Sequence, residues 1–508
     1  MQKYWKFISS VVLLVVALPV FGQDLASFEK RITVKTLDNG LTVIVCERPE
    51  APVFSFYTHV DVGSDREYPG IQGLAHMFEH MAFKGTDKVG TNDYADERVA
   101  LEKVESAYQA YDQERRKRTG RDDKKVAELE KSWKDAMDAA QKYVVENQFG
   151  QIVEENGGEA LNAFTDNEET GYFYSFPSNQ VELWAYLESE RFMHPVLREF
   201  YKERDVVHEE RRLGESDPFS RLLEQFMATA YVAHPYGQPV VGWPADLESF
   251  SMTDAHAYYK KYYVPADMIV TVVGDVKAGE VMPIIEKYFG RLPAGPKPEP
   301  LRTVEPPQNA ERIVILHETA QPIFVEGYHK PGALDKDDAV YDALQDLMSN
   351  GRTSRLYRSL VRDKKIAAQS GGFNGYPGAK YPNMFIFYAI STPGHTPEEL
   401  RDAIYAEVER IKKEDISDDE LQMIKTRAKA DLLRHLADNL GLAFQLGTAQ
   451  SVYGDWRQLF RHVDEIENVS KADIRRVANT TFVDSNRTVG ILESTQLAQS
   501  PAAGKEAK

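Results

Sequence analysis

The chain has 508 residues, of which 42% are hydrophobic and 28% are charged, and its formal net charge is -18. This length exceeds what one hydrophobic core usually holds, so the sequence predicts two or more domains. The strong negative charge argues against nucleic acid or an anionic membrane surface as a binding partner.

The N-terminal segment has the features of a secretory signal peptide. Lys3 and Lys6 precede an apolar run over residues 7–20, and small residues follow before Gln23. The run is short for a membrane span, and no second apolar run of spanning length follows it. We therefore predict a signal peptide over residues 1–22, export to a bacterial periplasm, and a mature chain without a membrane anchor.

Residues 76–80 read H-x-x-E-H, and apolar residues recur at helical spacing from Leu74 to Ala82, so this segment is predicted to be a helix that residues 84–86 end. One turn of helix brings His76 and His80 to the same face, where two imidazole nitrogens can bind one metal ion. Glu79 lies beside them, close enough to take a proton from water. The pattern therefore favours zinc-assisted hydrolysis of an amide bond. A surface helix with two solvated histidines is the alternative interpretation.

A densely charged segment follows at about residues 95–150. Its apolar residues recur at helical spacing, and they are Val126, Leu129, Trp133, Met137 and Ala140. Thr119 and Gly120 mark a turn in the middle. We predict a helical hairpin inserted into the first domain. It is interpreted either as a solvated decoration or as a lid or docking arm.

The two halves of the chain resemble each other. Residues 52–54 resemble residues 322–324, and residues 251–273 resemble residues 470–492. The two offsets, about 270 and about 219 residues, differ by about 51 residues, which matches the charged insertion in size. At the positions of the metal motif the second half has other side chains, which are Asp342, Gln345 and Asp346. Only the first half is therefore predicted to bind metal.

These patterns predict an α+β fold with two tandem homologous domains, each an antiparallel-rich sheet with helices on one face. The N-terminal catalytic zinc domain is predicted over residues 23–292, and a Pro-rich linker over residues 293–311. The C-terminal domain without metal follows over residues 312–495, and residues 496–508 are a tail.

The chain resembles the M16 (pitrilysin/insulinase) zinc metallopeptidases, in particular the two-domain class related to mitochondrial processing peptidase. The resemblance covers about residues 34–494. It rests on four segments, 38–41, 73–86, 162–165 and 234–237, which read DNGL, GLAHMFEHMAFKGT, NAFT and HPYG. It implies an exported zinc endopeptidase, shaped as a clamshell of two domains, whose chamber admits extended or unfolded peptides and excludes folded proteins.

A catalytic zinc ion needs a third protein ligand and an open position for water. In the family a glutamate of a downstream helix supplies that ligand, and the resemblance assigns it to Glu210. Glu203, two helical turns earlier, matches an outer carboxylate. Glu209 is the rival ligand, because adjacent helical residues point about 100° apart and the two cannot easily serve together. The resemblance implies one zinc ion per chain.

The resemblance also identifies residues that bind substrate. Asn162, Ala163 and Phe164 match an edge strand whose backbone hydrogen-bonds an extended peptide, although an ordinary strand is the alternative interpretation. Arg362 matches an arginine of the second domain that helps to hold the substrate and the developing oxyanion. This assigns Arg362 both a catalytic and a substrate-binding role.

One position departs from the family: Gln369 stands where a tyrosine is expected. Three cases are open for the hydrogen-bond donor that this tyrosine would supply. Tyr376 replaces it, a partner chain supplies it, or the donor is missing. Loss of one such donor typically costs about a hundredfold or more in rate. The alternatives to an efficient peptidase are therefore a weak or inactive scaffold subunit, the active subunit of a heterodimer, or a protein that signals through a bound peptide. The family implies a homodimer or a heterodimer with a related chain.

Overall fold

The computed structural model describes residues 25–495, so the predicted signal peptide and the predicted tail lie outside the described residues. The first half contains α1 (Leu25–Glu29), β1 (Ile32–Thr36), β2 (Thr42–Glu47), β3 (Val53–Val60), α2 (Leu74–Met81), α3 (Tyr94–Arg115), α4 (Asp123–Gln141), α5 (Gln148–Glu155), β4 (Glu159–Thr165), β5 (Thr170–Pro177), α6 (Val181–Met193), α7 (Phe200–Gly214), α8 (Pro218–Ala230), α9 (Pro244–Leu247), α10 (Met252–Tyr262), β6 (Met268–Gly274) and α11 (Ala278–Phe289).

The second half contains β7 (Arg312–Glu318), β8 (Ile323–Lys330), α12 (Asp338–Ser349), a π-helix (Tyr357–Asp363), β9 (Ala367–Tyr376), β10 (Asn383–Ser391), α13 (Pro397–Lys413), α14 (Asp418–His435), α15 (Asn439–Tyr453), α16 (Gln458–Asn468), α17 (Lys471–Thr481) and β11 (Arg487–Ser494). None of the helices within residues 25–495 is long and apolar enough to span a membrane.

Each half forms one sheet, and the two sheets share a topology. The first has the strand order β1-β2-β6-β3-β5-β4, and the second has the order β7-β11-β8-β10-β9. The pairs β2–β6 and β7–β11 are parallel, whereas all the other described pairs are antiparallel. The predicted α+β class with two tandem antiparallel-rich domains is confirmed. Strands β4 and β9 are equivalent edges of the two sheets.

Both sheets are covered on both faces, because the two halves exchange helices. The helices of the first half pack on one face of its own sheet, while α15 of the second half packs on the opposite face, where Phe444 lies 4.5 Å from Tyr57 between ring centroids. In return, α8 packs Phe226 against the second sheet. The prediction of helices on one face is wrong for α8 and α15, which pack on the sheet of the opposite half. Because that half covers the second face, every residue of β3 after Val53 is buried.

The Pro-rich segment 293–311 contains no helix or strand, yet it is tied to both halves. The Glu305 carboxylate accepts hydrogen bonds from the backbone N–H groups of residues 232–234, each at 2.9 Å. The Gln308 side chain donates to the Arg487 carbonyl at 2.7 Å. The segment is therefore an anchored connection.

The charged segment forms the predicted antiparallel hairpin, α3 and α4. Its aromatic core packs on α7: the Arg204 guanidinium donates to the Tyr108 hydroxyl at 2.8 Å, and the Tyr201 hydroxyl donates to the Glu105 carboxylate at 2.6 Å. Trp133 of α4 stacks near Tyr108, with ring centroids 5.1 Å apart. The hairpin therefore packs along one side of α7, and its role as a decoration, a lid or a docking arm stays a prediction.

A group of buried charges joins the two halves, and we call it the junction cluster: His59, Asp61, Glu168, Glu169 and Lys380. His59 is 1% exposed, its Nδ1 pairs with the Glu169 carboxylate, and its Nε2 lies 3.9 Å from Asp61. Lys380 comes from the second half and pairs with Asp61. Burial alone would lower the pKa of His59, but the two carboxylates outweigh it and raise this pKa to about 9.

The His59 pKa predicts a stability that depends on pH. The groups facing this ring are Asp61, Glu169, Lys380 and the Tyr57 hydroxyl. A histidine in an unfolded chain titrates near about 6.5, so the stabilisation is complete below that pH and is lost as the pH rises through about 9. We expect the urea midpoint of the wild type to fall more steeply between these pH values than that of His59→Gln. The difference corresponds to at most about 3 kcal/mol. Parallel slopes in urea titrations would contradict this result.

Candidate metal centre

The helix predicted from the H-x-x-E-H pattern is present as α2. It begins after Gly73, which has a φ of 97°. A Cβ added to Gly73 would lie 2.4 Å from the Val241 carbonyl oxygen. Both features require glycine. No side chain of its own caps the helix. Instead the buried Glu67 carboxylate accepts the Gly73 N–H at 2.8 Å and the Ala75 N–H at 2.6 Å. A carboxylate at this end satisfies unpaired N–H groups and complements the helix dipole.

The structure brings the three predicted ligands together. His76 Nε2 lies 3.7 Å from Glu210 Oε1, and His80 Nε2 lies 3.4 Å from Glu210 Oε2. The three donor atoms all lie within 4.8 Å of one another. Ligands bound tetrahedrally to zinc at about 2.1 Å are separated by about 3.4 Å. The two nitrogen–oxygen separations are close to this value, so the three side chains could bind one zinc ion.

The surroundings shift the pKa values of the two imidazoles in opposite directions. Burial lowers the pKa of His76 to about 4, so its ring is neutral at neutral pH, as a metal ligand must be. Burial also acts on His80, but a hydrogen bond to Glu203 and the charge of Glu210 raise its pKa overall. His80 Nδ1 lies 3.5 Å from Glu203 Oε2, and Lys84 Nζ holds that carboxylate at 2.5 Å. Glu203 thus orients the ring of His80 from behind.

Glu79 stands beside the three donors and is mostly buried. Its Oε2 lies 3.8 Å from His76 Nε2. Burial raises the pKa of Glu79, whereas hydrogen bonds from Thr165, the last residue of β4, act in the opposite direction without cancelling the increase. A carboxyl group with a raised pKa can accept a proton and return it near neutral pH.

Helix α7 presents Glu210 to the histidines and turns Glu209 away. The Glu209 carboxylate is 61% exposed and pairs with Arg212 on the outer side. Glu203 and Glu210, seven residues apart, lie on the same face. His208 also lies outside the centre, with Nε2 3.8 Å from Glu248. The geometry thus separates the two rival glutamates, and Glu210 is the one that faces the centre.

The predicted substrate strand lies next to the metal helix. Asn162, Ala163 and Phe164 belong to β4, which pairs with β5 on one side only and packs against α2. Asn162 is exposed, and its carboxamide oxygen accepts the Ala163 N–H at 2.9 Å. The outer edge of β4 carries no other strand among residues 25–495. An extended peptide added to that edge would pass the centre.

Arg362, Gln369 and Tyr376 have their described contacts within the second half. Arg362 lies on the π-helix, is 58% exposed and pairs with Asp363. Gln369 donates to the Tyr388 hydroxyl at 2.9 Å, and Tyr376 packs among apolar side chains of the second sheet. No described hydrogen bond or ion pair joins Arg362, Gln369 or Tyr376 to the metal ligands. A role for Arg362 in substrate binding therefore stays a prediction.

The corresponding helix of the second half, α12, carries ion pairs in place of ligands. Asp342 accepts from His462 Nε2 at 2.6 Å, and Asp346 pairs with Arg427 at 3.1 Å. Asp338, Asp342 and His462 also place their donor atoms within 4.8 Å of one another. However, Asp338 is already paired with a lysine at 3.4 Å. These three aspartates of α12 are therefore each paired with a basic side chain.

Sequence reasoning missed Glu67 and Thr165. Glu67 lies seven residues before Leu74, outside the N-cap position and the first turn, so no capping pattern pointed to it. Thr165 lay within the NAFT segment but was not given a role. Its contact with Glu79 depends on how β4 packs on α2, which no local pattern reveals.

Known proteins resemble this chain in both sequence and structure. The profile "Insulinase (Peptidase family M16)" matches residues 42–116 and 136–242, and the profile "Peptidase M16 inactive domain" matches residues 249–428. "Zinc protease PqqE" of Helicobacter pylori is 28% identical over 499 residues, which cover 96% of this chain and 97% of that protein.

Two crystal structures show a similar fold. A protease from Helicobacter pylori superposes with a TM-score of 0.76 at 27% identity, and the match covers 91% of this chain and 99% of that one. The periplasmic protease PqqL from Escherichia coli superposes with a TM-score of 0.69 at 17% identity, covering 94% of this chain and 49% of that one. At such low identity the second likeness concerns the fold alone.

Proposed function

The chain belongs to the M16 (insulinase) peptidase family, and from this membership we propose that it is an exported zinc endopeptidase that hydrolyses extended or unfolded peptides. One observation carries the proposal. Two imidazole nitrogens and one carboxylate converge at 3.4 to 3.7 Å, with Glu79 beside them. The free edge of β4 lies next to this group and offers a place for an extended peptide.

The donor set fits zinc. His76, His80 and Glu210 would hold the ion with two nitrogens and one oxygen, the number and types of protein ligands of a catalytic zinc site. The buried and neutral His76 and the Glu203 carboxylate behind His80 are features of imidazoles that bind a cation. When bound, zinc supplies a Lewis acid that polarises the peptide carbonyl and lowers the pKa of water to about 7. We propose one zinc ion per chain.

The side chains of the site divide the remaining work. Glu79 takes a proton from the attacking water molecule and returns it to the leaving amine, because its carboxyl lies 3.8 Å from His76 Nε2, beside the three donors. Glu203 keeps the ring of His80 oriented. Strand β4 binds the peptide backbone through its free edge, so the enzyme should select extended substrates with little dependence on sequence.

Removal of the metal tests this proposal. We expect about one zinc ion per purified mature chain, and we expect cleavage of a quenched unstructured peptide to fall to background with a chelator and return with zinc. The same peptide sequence placed inside a stable folded domain should not be cut. Cleavage that survives complete metal removal would overturn the proposal, as would a chain that binds no zinc.

A second candidate function follows from the position of Arg362 and Gln369. Both side chains bond within the second half, and Gln369 stands where the family has a tyrosine, so the usual pair of oxyanion donors is incomplete. The chain would then be a weak peptidase or a scaffold, or the active subunit of a heterodimer whose partner supplies these donors. Turnover by the chain alone, measured together with its mass in solution by light scattering, separates these cases from a self-sufficient enzyme or homodimer.

The periplasm is the proposed location. The predicted signal peptide supports it, and the PqqL protein with a similar fold is a periplasmic protease. Fractionation of cells that express the full chain, compared with a chain lacking residues 1–22, tests the location. The full chain is expected in the periplasmic fraction, and the shortened chain in the cytoplasm.

A further inference from the structure

The tips of two equivalent hairpins dock on each other across the two halves. The turn between β4 and β5 presents the Glu168 carboxylate to the loop between β9 and β10. That carboxylate accepts the Ala379 N–H at 2.9 Å and the Lys380 N–H at 2.7 Å. An added Cβ on Gly378 would lie 2.6 Å from the carboxyl carbon, so only glycine allows this approach. Successive N–H groups of this kind bind anions well.

The side chain of Lys380 crosses the same contact in the opposite direction. Its ammonium group pairs with Asp61 of the first half and is only 16% exposed. The charges of Glu168 and Glu169 also act on it. Each hairpin tip therefore inserts a charge into the other: a carboxylate into backbone N–H groups, and an ammonium group into the junction cluster. Removing one partner of such a buried pair leaves an uncompensated charge behind.

The docked turn is connected to both parts of the candidate active site. Thr165, the residue before the turn, contacts Glu79. The turn also accepts two backbone hydrogen bonds, from the Ser64 N–H at 3.1 Å and the Asp65 N–H at 2.8 Å. Those residues lead directly into Glu67, which caps the metal helix. A displacement of the turn would move β4 relative to α2.

We propose that Lys380 and Glu168 are positioning residues. Through them the second half holds β4, the proposed substrate strand, in place relative to Glu79. The inference rests on the proposed peptidase function. It gives the second half a task other than chemistry: its β9–β10 loop fixes the end of the strand on which an extended peptide lies. Small displacements of bound groups in an active site can cost as much as a hundredfold in rate.

Two isosteric variants test the proposal, each in the full mature chain. Lys380→Met keeps the length of the side chain without its charge, and Glu168→Gln keeps its shape. We expect each to retain one zinc ion per chain and to lower kcat/KM for an unstructured peptide by about tenfold or more. Lys380→Arg should recover most of the loss. Lys413→Met, an exposed lysine of the second half, is the matched control and should resemble the wild type.

Hydrogen exchange distinguishes positioning from general destabilisation. In Lys380→Met the amides of residues 159–170 should exchange faster, whereas amides of α12 and the zinc content should stay unchanged. Adding Asp61→Asn to Lys380→Met should restore part of the protection, because it removes the carboxylate charge that has lost its lysine, while His59 keeps Glu169 as its partner. The contrary result is a variant that loses zinc or unfolds at a lower temperature and yet keeps the wild-type kcat per zinc-loaded chain. That result would point to a structural role and overturn the proposal.

The outcomes also separate this inference from the proposed function. If the wild type shows no chelator-sensitive cleavage, the peptidase proposal fails. Hydrogen exchange of residues 159–170 in the variants then tests only whether Lys380 and Glu168 hold β4 in place. If the wild type cleaves peptides while both Lys380→Met and Glu168→Gln keep its kcat/KM and its exchange pattern, the positioning role is excluded. Should Lys380→Met fail to fold, Glu168→Gln decides the question.

Discussion

Replacement of Glu79 by glutamine is expected to reduce peptide hydrolysis by about a thousandfold or more while leaving the metal bound. Glutamine has the same shape but cannot accept a proton from water or return one to the leaving amine, and general acid–base catalysis contributes about 10² to 10⁴ in rate. Both histidines and Glu210 remain in place, so zinc binding should persist. The measurements are kcat for a quenched peptide and zinc per chain by elemental analysis.

The same variant should still bind peptide, because the edge of β4 is unchanged. Its affinity for a labelled unstructured peptide is expected to equal that of the wild type within a few-fold. Equal cleavage by Glu79→Gln and the wild type would mean that Glu79 transfers no proton, or that a contaminating protease is responsible. Either result removes the proposed mechanism.

Replacement of Glu210 by glutamine is expected to weaken zinc binding by about a hundredfold or more, with loss of activity at low zinc concentration. Even groups that only support a ligand cost about 10- to 100-fold in affinity, and Glu210 lies in direct reach of both imidazoles. Glu209→Gln is the matched control, because that carboxylate pairs with Arg212 on the exposed side of the same helix. Competition with a chromophoric chelator measures both affinities.

The reverse result would reassign the third ligand. If Glu209→Gln lost zinc while Glu210→Gln kept it, α7 would have to be rotated by about 100° in solution. That rotation would also remove Glu203 from His80 and break the contacts of α7 with the hairpin. Such a result would therefore contradict the packing of the whole helix.

Local spacing was enough to predict the metal helix. His76 and His80 are one helical turn apart, so any helix over these residues places both rings on one face, and Leu74, Met77 and Phe78 bury another face. The repeat was equally readable, because equivalent strands β3 and β8 carry similar apolar runs. The charged segment was recognisable as a hairpin for the same reason of periodicity.

The choice between Glu209 and Glu210 required either the family resemblance or the folded chain. Both residues fit a helix, and only the packing of α7 against α2 and the hairpin shows which one turns inward. The position of Arg362 shows the opposite case. Its match to the family is a property of the sequence, yet its side chain pairs with the neighbouring Asp363 in the structure.

The amino-acid sequence alone specified which chemistry is present: two imidazoles and a carboxylate within one turn, in one of two repeated halves. Interactions between residues close in sequence decide such features. The tertiary structure decided which distant carboxylate faces the two histidines, which helices cross to the opposite sheet, and how the tips of the two hairpins exchange Glu168 and Lys380. These features depend on packing between segments far apart in the chain, and no periodicity in the sequence encodes it.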